Sequence, residues 1–273
     1  MNKKVPYLIV APGLVLLLFF LMIPLITSIL PTIFTDHGLT LNQYVTFFKD
    51  DYNVSIFWRT IRVSLIVTGI SIVLGIPTAY FIAGVSKKWR GFLMAMTLFP
   101  LLTNSVIRSF AWINILGKNG VVNTLLLKTG LIEQPLNLLY TEFAIIIGSV
   151  YLFLPTMIMT LVGEGEMLEA AETLGANPMT AFRKIVLPLS IPGTIVGSIL
   201  VFTGTLTAYT TPQLLGGNQK MMMSTFLYQK ANTLGDWQSA SVLAFIMILT
   251  TLIVMKGLDM VAKKVDRREA NHA

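Results

Sequence analysis

The chain contains no cysteine. Disulfides, thiolate metal sites and cysteine nucleophiles are therefore excluded. Only two histidines occur in 273 residues, His37 and His272, and both lie outside the apolar runs, which argues against a histidine-based metal centre. Charge is scarce as well. Asp, Glu, Lys and Arg make up 12% of the chain, where soluble domains carry about 25%. Carboxylates in particular avoid the apolar runs: Glu142 stands at the edge of one and Asp259 at the end of another. No acid is left within them to relay protons, which counts against a proton-coupled carrier. A phosphate-binding G-x4-G-K-[ST] loop is also missing, because Gly117-Lys118 lacks the upstream glycine. The chain does not cradle ATP phosphates by itself.

What is abundant is apolar sequence. Hydrophobic residues make up 54% of the chain and its mean hydropathy is +0.73, the profile of a protein that faces lipid. The runs predict six spans at about 7–30, 60–84, 91–113, 143–162, 191–214 and 240–261. The first follows Asn2, Lys3 and Lys4 as a signal peptide would, but it outlasts a signal core of about 7–15 residues and lacks a small-residue cleavage site. It is taken as a span kinked near Pro12 or Pro24. Segments 31–58, 117–141 and 218–238 are expected outside, the second with an interfacial amphipathic helix in VVNTLLLKTGLI. Met221, Met222 and Met223 could adapt to a docking partner, with interface packing as the plainer role. No repeat or linker divides the chain, so a single domain over 1–273 is expected.

The net charge of +7 could suggest nucleic acid, yet the basic residues cluster at the ends of apolar runs rather than among aromatics. One side collects Lys3, Lys4, Lys87, Lys88, Arg90, Arg183, Lys184, Lys263, Lys264, Arg267 and Arg268; the other collects Lys49, Arg59, Lys118, Lys128, Lys220 and Lys230. Eleven against six puts the first side, with both termini, in the cytoplasm.

On that side lies a polar island, 164–190. Glu169, Ala170, Ala171 and Leu174 favour helix, and Gly175 suits a left-handed C-cap. Asn177 and Pro178 then read as the N-cap and first residue of a second short helix, closed by Pro188. Met179, Phe182 and Ile185 or Val186 share one face of it. The result is a helical knob suited to a groove in another protein. Its pattern, Glu169-Ala170-Ala171, Gly175 after three residues, then Ile185, Leu187 and Pro188, resembles the EAA loop of permease subunits in bacterial binding-protein-dependent ATP-binding-cassette importers, with every spacing kept. The stretches LTLNQYVTFF at 39–48, FPLLTNSVIRSFAW at 99–112 and TPQLLGG at 211–217 resemble the spermidine/putrescine branch, its first permease subunit above all.

The resemblance implies an all-α integral membrane protein with the type I importer permease fold, six transmembrane helices and a cytoplasmic coupling helix, in the bacterial inner membrane. It implies a second, homologous permease subunit, two ATPase subunits that bind the ATP and magnesium, and an extracytoplasmic solute-binding protein, with no cofactor in this chain and no nucleic acid. Polar side chains inside the spans are candidates for a translocation path: Asn104, Arg108 and Trp112 in the third, and Thr203, Thr207, Tyr209 and Thr210 in the fifth. Against this, membrane threonines commonly bond their own backbone, and Arg108 at a span end can snorkel to the interface. A polyamine is the first candidate cargo; the same branch also carries opines, phosphonates and ferric iron. Outside the branch, a secondary carrier and a scaffold or channel subunit are the competing classes. A β-branched residue at Gly175 is expected to break the capped turn, so Gly175→Val should leave the spans folded while uptake per ATP hydrolysed collapses. Vesicle uptake measured beside phosphate release tests this, and normal coupled uptake would refute the capped turn.

Overall fold

The structure, a computed structural model, describes residues 5–35, 38–162, 182 and 187–270. It is helical apart from a two-stranded antiparallel hairpin, β1 (Phe34–Thr35) with β2 (Gly38–Leu39). In order the helices are α1 (Val5–Ile33), α2 (Asn42–Lys49), α3 (Asp51–Gly84), α4 (Lys87–Leu102), α5 (Ser105–Leu116), α6 (Val121–Lys128), α7 (Glu142–Val162), α8 (Ile191–Thr207), α9 (Thr210–Leu215), α10 (Met223–Tyr228) and α11 (Trp237–Ala270), with single turns at Leu187–Leu189, Gly217–Lys220 and Gln229–Thr233. Four of them, α1, α3, α7 and α11, are long and apolar enough to cross a membrane. A fifth span forms only if α4 and the helix after it count as one despite a 93° bend. Helix α8, at 17 residues, is shorter than the roughly 20 residues a straight span needs. The expected unbroken spans 91–113 and 191–214 are thus each broken, at 103–104 and at 208–209.

Other boundaries also move. Helix α3 starts at Asp51, nine residues before the expected span, because the Asp50 carboxylate accepts from the Tyr52 and Asn53 amides at 2.8 and 3.2 Å. That cap satisfies donors a first turn leaves open and starts the helix in the polar segment read as loop. In 117–141 the short helix α6 does form, but its buried residue is the polar Asn123. The Asn123 amide donates to Gly117 O and Leu136 O, each at 3.0 Å, and accepts from Leu136 N at 2.8 Å, so it staples the returning chain to the helix.

Contacts divide the chain into two units: one takes the residues up to Val54 with Leu227–Ile248, the other Ser55–Phe226 with the chain from Leu249. In the first unit, the Thr32 hydroxyl meets Tyr44 OH at 2.6 Å, and the Tyr44 ring sets its edge against Phe245 at 5.5 Å. Asp236 starts α11, accepting from Ser239 N at 3.0 Å and pairing with Lys230 Nζ at 3.4 Å.

In the second unit α7 is the axis. Its Ile145, Val150, Met157, Ile158, Leu161 and Val162 are buried with Val63, Val67, Ala79 and Ile82 of α3, Val201 of α8 and Met222. Close approach comes from small residues, as in membrane bundles where lipid gives no hydrophobic drive. A Cβ at Gly75 of α3 would lie 2.6 Å from Met157 Cγ, one at Gly197 of α8 2.6 Å from both Met157 Sδ and Thr160 Oγ1, and one at Gly148 of α7 2.6 Å from Leu215 Cδ1. At Gly204 it would run into the Phe153 ring. The TPQLLGG stretch ends in the same kind of contact: Gly217, at φ +55°, brings its backbone under the Tyr140 ring. Met221, Met222 and Met223 are 5%, 0% and 1% exposed, so they are core rather than a docking surface.

Gly197→Ala should therefore lower the unfolding midpoint in detergent by the equivalent of about 1–3 kcal/mol, the usual cost of overpacking. Gly69→Ala, on a face where nothing lies within 4 Å, should be neutral or slightly stabilising; equal midpoints for the two variants would contradict the packing account. Acid should act at the start of α11. Hydrogen bonds from Ser239, its hydroxyl first and then its amide, hold the Asp236 carboxyl below the ordinary aspartate range, with Lys230 adding a smaller pull. Its contribution is complete above the unfolded value of about 3.9 and disappears as pH falls through the lower folded value. Trp237 fluorescence followed on acidification should report this step, and Asp236→Asn should remove it.

Candidate functional site

The path candidates sit at two helix breaks. The first separates α4 from α5 at Thr103 and Asn104. Pro100 lies in the last turn of α4 and is buried. The Asn104 side chain caps α5, accepting from Val106 N at 2.9 Å and Ile107 N at 3.4 Å. One turn later Arg108 reaches back, and its Nη1 donates to Pro100 O at 2.8 Å and Thr103 O at 3.3 Å. These carbonyls end α4 and would otherwise be unpaired in a low-dielectric setting. Arg108 is 6% exposed. The expectation that it snorkels to the interface is corrected: its charge is spent inside the chain, on the negative end of a helix. Asn104 and Arg108 thus build the bend, although Asn104 keeps an exposed side chain.

The second break separates α8 from α9. Helix α8 ends at Thr207, Ala208 is extended at φ −58° and ψ 129°, and α9 restarts at Thr210. The Ser224 hydroxyl donates to Ala208 O at 2.6 Å, closing this end as Arg108 closes the other. Helix α9 then packs on α5 and α7, so the outer pieces of both broken helices meet on the α7 axis. The expected single threonine face does not survive the break. Thr207 is exposed and its hydroxyl turns back to Thr203 O at 2.8 Å. The Thr203 hydroxyl is buried, with no hydrogen-bond partner among the described residues. Tyr209 and Thr210 are half-buried on the far side of the break. Trp112, also half-buried, sets its ring edge-to-face with Tyr151 of α7 at 5.8 Å.

Polar anchors hold the two ends of the unit. At one end Glu142, the first residue of α7, takes Arg62 Nη2 at 2.6 Å and Arg59 Nε at 3.4 Å from α3, while Arg59 Nη1 also donates to Met221 O at 3.0 Å. Thr60 adds a contact there, its hydroxyl accepting from Met223 N at 2.9 Å. Sequence reading singled out Glu142 and Arg59, but neither Arg62 nor the cluster the three form. At the other end Arg90 of α4 donates to Val162 O, and Tyr80 of α3 meets Phe182. Segments assigned to one side by charge therefore meet one another, and so do those assigned to the opposite side. Of the coupling candidates, Phe182 is half-buried, Leu187 is exposed and Pro188 half-buried. Glu169, Ala170, Ala171, Leu174, Gly175, Asn177, Pro178 and Ile185 lie outside the described residues.

Comparison with known proteins adds an independent line. The model of the family described as binding-protein-dependent transport system inner membrane component matches residues 71–270. The chain is 30% identical to the spermidine/putrescine transport system permease protein PotB of Haemophilus influenzae, over 97% of this chain and 98% of that one. A bacterial ABC transporter involved in the import of the acidic polysaccharide alginate shares the fold at a TM-score of 0.74 and 19% identity, with 96% of each chain covered. A second structure, of the alginate transporter in complex with an alginate pentasaccharide-bound periplasmic protein, gives 0.71 at 20% identity over 97% of this chain and 96% of that one.

Arg108→Met should free the two carbonyls that end α4 and cost roughly 2–4 kcal/mol of stability, the range for unpairing buried groups bonded to a charge. Arg108→Lys should recover part of that loss. Thermal unfolding in detergent measures both, and a Met variant as stable as the parent would sink the bracing role.

Proposed function

The chain belongs to the family of binding-protein-dependent transport system inner membrane components and is a permease subunit of an ATP-binding-cassette importer; from that premise we propose that its cargo is a polyamine, spermidine or putrescine. The observation that carries the proposal is the 30% identity, over nearly the whole of both chains, to a permease of a spermidine/putrescine system. It makes half of the translocation path beside a second, homologous permease. Two separate ATPase subunits bind ATP and magnesium and receive the 164–190 loop, with Glu169, Ala170, Ala171, Gly175 and Pro188 at its core. An extracytoplasmic solute-binding protein delivers the cargo; the alginate transporter, of similar fold, has been seen with a periplasmic protein bound. Both termini and the loop lie in the cytoplasm, as the charge count favours.

The chemistry of the spans fits a path that passes a polycation without gripping it. The carboxylate of Glu142 is already taken by Arg59 and Arg62 and offers a cation little. Selection then falls to the binding protein, while aromatic faces such as Trp112 and Tyr209 and the hydroxyls of Thr207 and Thr210 give weak, replaceable contacts. Alternating access follows: closure of the ATPases carries the coupling loops together and opens the path to the docked binding protein.

Co-reconstitution with the ATPase and binding protein encoded beside this chain tests the proposal. Hydrolysis should rise when the binding protein is loaded with spermidine or putrescine, and uptake should require ATP. Stimulation by another cargo alone would overturn the polyamine assignment; uptake that persists without ATP would overturn the driven mechanism.

A further inference from the structure

Residues 80–90 form a corner that touches the chain at two points, one on each side of the stretch 163–181. Arg90, in the first turn of α4, places Nη2 3.0 Å from the carbonyl of Val162, the last residue of α7. A guanidinium there answers both an unpaired acceptor and the negative end of the helix. Tyr80, in the last turns of α3, meets Phe182 edge-to-face, with ring centroids 5.1 Å apart and planes at 72°. Edge-to-face pairs at this distance are attractive beyond their buried area. Only Val85 and Ser86 separate α3 from α4, so the two contacts belong to one short corner. From it α4 runs directly to the Pro100 and Thr103 carbonyls that Arg108 holds.

We propose that this corner, acting through Tyr80 and Arg90, is the element that passes displacement of the coupling loop into the spans. The proposal rests on the reading of the chain as an ATPase-driven permease and adds to it the route of transmission. Tyr80 and Arg90 touch neither nucleotide nor cargo and are positioning residues. A load applied between Val162 and Phe182 is borne at both ends by the α3–α4 corner, and α4 conveys it to the bend.

The measurement is cargo imported per ATP hydrolysed in proteoliposomes holding the whole complex. Tyr80→Ala and Arg90→Gln should each lower that ratio roughly three- to tenfold, the range that losing one such contact gives. Subunit stoichiometry and basal hydrolysis should stay as in the parent. Tyr80→Phe, which keeps the ring, and Arg90→Lys, which keeps the cation, should restore most of the ratio. A merely structural role would lower the amount of assembled complex and leave the ratio of what assembles unchanged, and that result overturns the proposal. As a second arm, the absence of native cysteine allows Tyr80→Cys with Phe182→Cys to be joined by a short bifunctional reagent. Joining should recover the import ratio that the unjoined double variant loses, and a joined complex as poorly coupled as the unjoined one likewise overturns the proposal. A parent complex that shows no coupling at all would instead refute the ATPase-driven reading, so the two failures are separable.

Discussion

A bilayer offers no water to a backbone carbonyl, so a helix that breaks inside one must find donors within the protein. That constraint explains where the polar side chains of this permease sit. Arg108 supplies Pro100 and Thr103, Asn104 takes the open amides of α5, and Ser224 closes Ala208. An arginine and an asparagine in an apolar helix invite a reading as path lining. Their geometry shows a prior obligation: without them the 93° turn between α4 and the helix after it would leave several groups unpaired.

Once the breaks are held, packing on α7 becomes possible. Helices α8 and α9 lie against it, and α5 follows through α9. The glycines at 75, 148, 197 and 204 set the spacing, each at a point where a methyl group would collide with a neighbouring side chain. Outward-facing positions have no such restriction, and large side chains such as Phe81 and Leu200 are exposed there. The division is the one expected where association depends on fit rather than on escape from water.

Hydropathy located α7 within a residue, because its run is bounded by the Thr141 hydroxyl, which caps Ala144 N, and by the charge of Glu142. It missed the start of α3, since a helix that continues into the aqueous layer carries no apolar signal; only the Asp50 cap announces it. It also ran through both breaks. The signal for the first was present, a proline followed by Thr-Asn-Ser, with Asn104 as a competent N-cap. The second had less to offer: the threonine spacing at 203, 207 and 210 matches an unbroken helix, and the donor that permits the break, Ser224, lies sixteen residues beyond Ala208. Pairings such as Arg59 and Arg62 with Glu142 depend on tertiary neighbours and had no local signature. The 164–190 loop is the reverse case, legible as a spaced motif although most of it lies outside the described residues.

The two breaks differ in one respect that bears on a charged traveller. Where α4 stops, a full positive charge sits on the terminal carbonyls; where α8 stops, the donor is an uncharged hydroxyl. The first terminus is therefore more than neutralised, and the second keeps its partial negative character. The field at the two breaks is asymmetric: the Arg108 charge exceeds the roughly half-charge of the α4 terminus and leaves it net positive, while the α8 terminus stays shallowly attractive to a cation. Only the second end is attractive to positive charge, and it is so without a carboxylate.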